Sequence, residues 1–198
     1  AALVSGLCSL GADAYLLGVF PTPGVACLTS HLGADAGIVV SASHNPFYDN
    51  GIKFFNNRGF KLSDAMENHM ETWVLDTSKK QPVIADNAIG RVFPVPDADK
   101  IYRDFLLGSL SPNIRSRISG RRVVLDCSNG ATSTLAPDLF SRMGVDVTPL
   151  STAPDGININ DTCGSQHPEN LAKKVLERGA DVGFAFDGDG DRVVAVDE

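Results

Sequence analysis

The chain has 198 residues, enough for one large or two small domains with real cores. A hydrophobic share of 43% and a charged share of 21% are ordinary for a globular protein, and a net charge of -7 with a pI near 5.0 argues against a nucleic-acid or anionic-membrane partner. No signal peptide and no apolar run long enough to span a bilayer is seen, and the scattered Cys8, Cys27, Cys127 and Cys163 fit reduced thiols in a cytoplasmic protein. A phosphate-bearing small substrate stays open, because a local cation cluster or a metal overrides the global sign. The opening "AALVSGLCSL" lacks an initiator Met and reads as the middle of something.

In chain order, Leu3, Leu7 and Leu10 share one helical face, and "AYLLGVF" (14–20) reads as a strand. "TPGVACLTSHLG" (22–33) reads as a helix, with Pro23 near its start and Gly33 as its stop. "AGIVVSA" (36–42) and "GIKFF" (51–55) are strands, and Leu62, Met66, Met70 and Trp73 mark a helix with Trp73 in the core. The stretch 77–98 is polar and broken by prolines, so a domain junction is placed inside it, dividing the chain into 1–92 and 93–198.

The second half repeats the alternation. "DKIYRDFLLGSL" is a helix, "RRVVLDC" a strand, "NGATS" a turn, "TLAPDLFSRMG" a helix and "VDVTPL" a strand. After a loop over 151–167 come the helix "HPENLAKKVLERG" and the strands "DVGFAF" and "VVAV". The pattern predicts an α/β protein: two consecutive three-layer α/β/α domains with mainly parallel mixed sheets. Ligands in such sheets sit beyond the carboxyl ends of strands, where the loops 42–50 and 187–192 lie.

The later loop, "DGDGDR", spaces Asp187, Asp189 and Asp191 two apart with Gly188 and Gly190 between them. On a straight strand, same-side residues lie about 6.6–7 Å apart. Mg²⁺ takes oxygens at about 2.1 Å, so only a chain curled by the glycines brings all three acids to one ion. The segment reads as a hard-metal loop. An acidic surface turn competes. An EF-hand fails, because Arg192 stands where that loop needs glycine. A haloacid-dehalogenase-type phosphatase using Asp187 as nucleophile is a further rival. Arg192 reads as a counter-charge or a phosphate clamp.

The earlier loop, "SASHNPFYDNGIKFF", follows a strand with Ser43. It is either a polar turn before Pro46 or a loop presenting a hydroxyl. No G-x-S-x-G is present, and His44 directly after Ser43 is badly placed as its base. A hydroxyl that carries phosphate needs no base, only surrounding positive charge. Lys53, on the strand returning from the loop, supplies one charge and with a lowered pKa would serve as general base. Asp126, Asn129 and Gly130 read as a glycine turn with helix-start chemistry, with a second phosphate site as the lesser reading.

"SASHNP", "DNGIKFF" and "AFDGDGDRV", in that order, resemble the α-D-phosphohexomutases. The centre of the first motif and "PDGININDTCGSQHPE" are most similar to the bacterial branch acting on glucosamine phosphates. The resemblance implies an isomerase that interconverts glucosamine 6-phosphate and glucosamine 1-phosphate through a phosphoserine and a 1,6-bisphosphate. It implies that Ser43 is the phosphorylated residue and that Asp187, Asp189 and Asp191 bind Mg²⁺ with the seryl phosphate as a further ligand. Arg192 would contact that phosphate, and His44, Asn45 and Lys53 would line the reacting centre. The partner is a hexosamine phosphate, with phosphoglucomutase or phosphomannomutase activity and a non-catalytic metal module as alternatives. The family has four domains, so the chain is expected to lack domains 3 and 4 and the N-terminal strand, to be inactive alone and to leave a sheet edge open for association.

Overall fold

The computed structural model describes residues 1–76, 78 and 88–197, so most of the earlier part of the expected junction stretch lies outside the described residues. The chain forms two compact units, residues 1–18 with 61–98 and residues 19–60 with 99–198.

The first unit holds helix α1 (Ala2–Ser9), strand β1 (Ala14–Leu16), helix α3 (Asp64–Leu75) and strand β4 (Val92–Pro94). β1 pairs in parallel with β4, and Tyr15 stacks on Phe93 with ring centroids 5.4 Å apart. Ser63 caps α3 by accepting from the Met66 amide, and Asp64 and Glu67 favour its positive end. Contrary to the sequence expectation, Trp73 is not a core residue: it is about half exposed, on a helix without buried positions. β1 is also shorter than the apolar run 14–20. Gly18 adopts a positive φ, and Val19 and Phe20 belong to the second unit.

The second unit contains helix α2 (Thr22–His31) and the antiparallel hairpin of β2 (Ala36–Ser41) and β3 (Gly51–Asn56). There follow α4 (Ala98–Ser109), α5 (Pro112–Ile118), β5 (Arg122–Asp126), α6 (Leu135–Arg142), β6 (Asp146–Leu150), a 3-10 turn at Gly164–Gln166, α7 (Glu169–Arg178), β7 (Val182–Phe186) and β8 (Val193–Val196). Their sheet runs β6-β5-β7-β8, with β5 parallel to β6 and β7 and β8 antiparallel to β7.

β5 is buried on both faces, and its alternation builds two layers. Val123, Leu125 and Cys127 pack with Ala136 and Phe140 of α6, while Val124 packs with Leu171 and Val175 of α7. Gly183 lets α7 approach β7: a Cβ there would lie 2.7 Å from Val175 and 2.8 Å from Leu171. Gly179, in the left-handed conformation that ends α7, returns the chain to the sheet. Helices thus cover both faces of a mixed sheet, and three of the five strand pairings among the described residues are parallel.

Candidate active site

The loop after β2 and the loop after β7, both in the second unit, touch through their backbones. The Gly188 amide donates to the Ser43 carbonyl at 3.0 Å. A Cβ on Gly188 would sit 2.5 Å from that oxygen, and one on Gly130 would sit 2.2 Å from the Gly188 carbonyl oxygen. Only glycine permits this approach. The "NGATS" turn after β5 therefore braces the acidic loop, and the Ala131 amide donates to the Gly188 carbonyl at 2.8 Å.

The acidic loop curls as its glycines allow. Asp187 Oδ1 accepts from the Asp191 and Arg192 amides, both at 3.1 Å. Asp187 and Asp189 are buried and Asp191 is open to solvent, and one oxygen of each lies within 4.8 Å of the others. Burial, together with the charges of Asp189 and Asp191, raises the Asp187 pKa above the usual carboxylate range. Burial also pushes Asp189 upward, but hydrogen bonds from Lys53 and Thr22 outweigh it and hold this carboxyl low. Asp189 Oδ1 is buried without a hydrogen-bond partner among the described residues. Three hard oxygen donors that repel one another, one of them buried and unsatisfied, fit a hard divalent cation.

Ser43 has φ +55, a left-handed conformation that costs a residue other than glycine about 1–3 kcal/mol. The strain is held by the surrounding bonds. The Ser43 amide donates to Ser41 Oγ at 2.8 Å, and the Ser43 carbonyl is fixed by Gly188. The hydroxyl then lies 3.4 Å from Asp187 Oδ2.

Lys53 of β3, paired opposite Val39 of β2, places its ammonium 2.6 Å from Asp189 Oδ2 and 2.8 Å from Asp191 Oδ2. Burial lowers its pKa, but the bonds to both carboxylates win and the net direction is upward. In this arrangement the ammonium of Lys53 is held as a counter-cation to both carboxylates. Arg192 follows the acids with its guanidinium 3.9 Å from Asp191 and about half exposed. His44 is partly buried, with Nδ1 lacking a partner among the described residues. Asn45 contributes a carbonyl contact, and its side chain makes no hydrogen bond among the described residues. Ser43, Lys53, Asp187, Asp189 and Asp191 are thus brought together, Arg192 lies at the edge, and His44 and Asn45 lie on the serine loop beside them.

Two neighbours escaped the sequence reading. Thr22, at the start of α2, donates from Oγ1 to Asp189 Oδ2 at 2.5 Å, and its amide donates to the Asp189 carbonyl at 2.8 Å. Asn160 donates from Nδ2 to the carbonyls of Ser43 at 2.9 Å and Asn45 at 2.8 Å. The helix-start signal "PTP" and the turn-rich "DGININD" were the available hints. Asp126, by contrast, is taken up structurally, accepting from the Ser128 amide at 3.0 Å and the Gly164 amide at 2.9 Å.

The chain is 53% identical over 197 residues to a phosphoglucosamine mutase of Syntrophus aciditrophicus and 50% identical over 198 residues to one of Acetivibrio thermocellus, covering 43% of each. It therefore spans less than half the length of these relatives. A solved phosphoglucomutase/phosphomannomutase family protein from Burkholderia thailandensis superposes with a TM-score of 0.80 at 27% identity, over 99% of this chain and 42% of that one. The family models for phosphoglucomutase/phosphomannomutase α/β/α domains I and II match residues 1–81 and 100–198. With both models matched in order and the two motif loops meeting in space, the chain belongs to the phosphoglucomutase/phosphomannomutase, or α-D-phosphohexomutase, family.

Proposed function

We propose that the chain supplies the reacting loops of an isomerase that interconverts glucosamine 6-phosphate and glucosamine 1-phosphate. One observation carries the reading: the Ser43 hydroxyl stands 3.4 Å from Asp187, at the margin of a three-carboxylate cluster. The phosphoglucosamine mutases that match along the whole chain support the choice of sugar.

In this reading Ser43 Oγ carries a phosphoryl group. A substrate hydroxyl oxygen forms a new bond to phosphorus as the Ser43 Oγ–P bond breaks, giving a bisphosphate. After the bisphosphate reorients, its other phosphoryl group returns to Ser43 Oγ and the isomer leaves. Lys53 gives its proton to the departing Ser43 Oγ and takes up the proton that the substrate hydroxyl loses, so the exchange balances, with His44 as the second acid/base candidate. Arg192 holds phosphoryl oxygens, and Asn45 lines the substrate side. Asp187, Asp189 and Asp191, together with Ser43, would hold Mg²⁺, which would supply neutralising charge when bound. The reading includes a domain division at 92/93, a cytoplasmic setting and two further domains that complete the sugar and phosphate contacts. The isolated chain would then not turn over.

The test is peptide mass spectrometry of the protein at its full natural length after incubation with glucose 1,6-bisphosphate and Mg²⁺. Acid-stable phosphate on the peptide holding Ser43 is the expected outcome. Label on Asp187 instead would indicate a phosphatase, and no label a metal-binding module.

A further inference from the structure

Ser43 does not reach the acids by its own preference. Its backbone is left-handed, and its carbonyl receives two donors. One is the Gly188 amide, from the loop that carries the acids. The other is the side-chain amide of Asn160, which also holds the Asn45 carbonyl. Asn160 thereby bridges the 43–44 and 45–46 peptide groups, with His44 between the two carbonyls.

Asn160 is itself fixed. It is buried, with φ +58, a conformation that asparagine tolerates better than most residues. Its amide donates to the Ser128 carbonyl at 2.9 Å. Ser128 is fully buried, donates from Oγ to the Phe186 carbonyl and donates from its backbone amide to Asp126 Oδ1. The chain of contacts therefore runs from the ends of β5 and β7, one residue before Asp187, through Asn160 to the serine loop.

We propose that Asn160 is a positioning residue that aims the Ser43 hydroxyl at the acidic cluster by holding the Ser43 and Asn45 carbonyls. The inference rests on the phosphoserine reading above. Asn160 touches neither the hydroxyl nor the carboxylates. It sets where a phosphoryl group on Ser43 stands relative to the charges that stabilise its transfer. A displacement of about 1 Å in such a constellation costs about a hundredfold in rate.

Two variants of the full-length protein separate positioning from folding. Asn160→Gly keeps a residue that accepts positive φ and deletes the amide. Asn160→Asp keeps the shape and turns an acceptor toward the two carbonyls. In both, the rate of Ser43 phosphorylation by glucose 1,6-bisphosphate is expected to fall about 10–100-fold, with the KM for the bisphosphate within about twofold of the parent. Hydrogen exchange in the peptide spanning residues 41–50 should quicken in Asn160→Gly, while the melting midpoint moves little. If the parent takes phosphate on Ser43 and either variant does so within twofold of its rate, the positioning role is wrong and the phosphoserine reading stands. If the variants lose only stability, with the folded fraction reacting normally, Asn160 is structural. If the parent takes no phosphate on Ser43, the functional reading and this inference fall together.

Discussion

Thr22 shows how much of this site depends on single side chains far from either motif. Its hydroxyl and Asp189 are both buried, and hydrogen bonds to charged groups contribute about 1.5–3 kcal/mol. Thr22→Val keeps the volume and removes the donor, so it should lower stability by about that amount and raise the Asp189 pKa. Chemical denaturation checks the first effect and carboxylate-resolved NMR titration the second; an unchanged midpoint would show that Lys53 alone satisfies Asp189. The acids stood out because their spacing carries chemistry, a D-G-D-G-D run having few structural uses, whereas the loop of Ser43 alone reads equally as a polar turn and was singled out by its resemblance to the phosphohexomutases. Thr22 and Asn160 were not legible, because a threonine at a helix start and an asparagine in a turn look like ordinary local structure. Only the folded chain, bringing together positions as far apart as Thr22 and Asp189, gives them another partner.

At the scale of elements, strands and helices with strong periodicity were legible and weak ones were not. The seven-residue α5 has a sound start, with Ser111 accepting from the Ile114 amide and Pro112 in the first turn, but too few apolar positions to display a face. β4 is three exposed residues whose identity as a strand comes from its partner β1. The joint between β5 and β7 gives a test at this scale. Asp181 accepts from the Arg122 amide at 2.8 Å and pairs with Arg121 at 2.9 Å, and these bonds hold its carboxyl below the usual range. A carboxyl with a depressed folded pKa stabilises above its unfolded value, and that contribution disappears as pH falls through the folded value. The difference in melting midpoint between the parent and Asp181→Asn should therefore be greatest above about pH 4 and close toward zero in stronger acid. A difference that stayed constant over that range would rule out ionic clamping of the two strand starts.

Across the whole molecule, the free thiols sort by environment. Cys127 is fully buried and its pKa is pushed up to about 12 by burial, and Cys163 is also buried and raised by burial, whereas Cys8 and Cys27 are partly accessible. A thiol reacts as its thiolate, so a disulfide reagent at neutral pH should modify Cys8 and Cys27 first and reach Cys127 only on unfolding. Rapid labelling of Cys127 in the native protein, followed by peptide mapping, would contradict the packing of β5 between two helical layers. The two compact units also cut across the family boundaries. Ser43 lies in the stretch matched to domain I and Asp187 in that matched to domain II, yet both belong to the unit of residues 19–60 and 99–198. Dissecting the gene at the domain border would therefore strand the hydroxyl and the acids on separate polypeptides. An encounter that one chain guarantees at high effective concentration would become a bimolecular association, dependent on dilution.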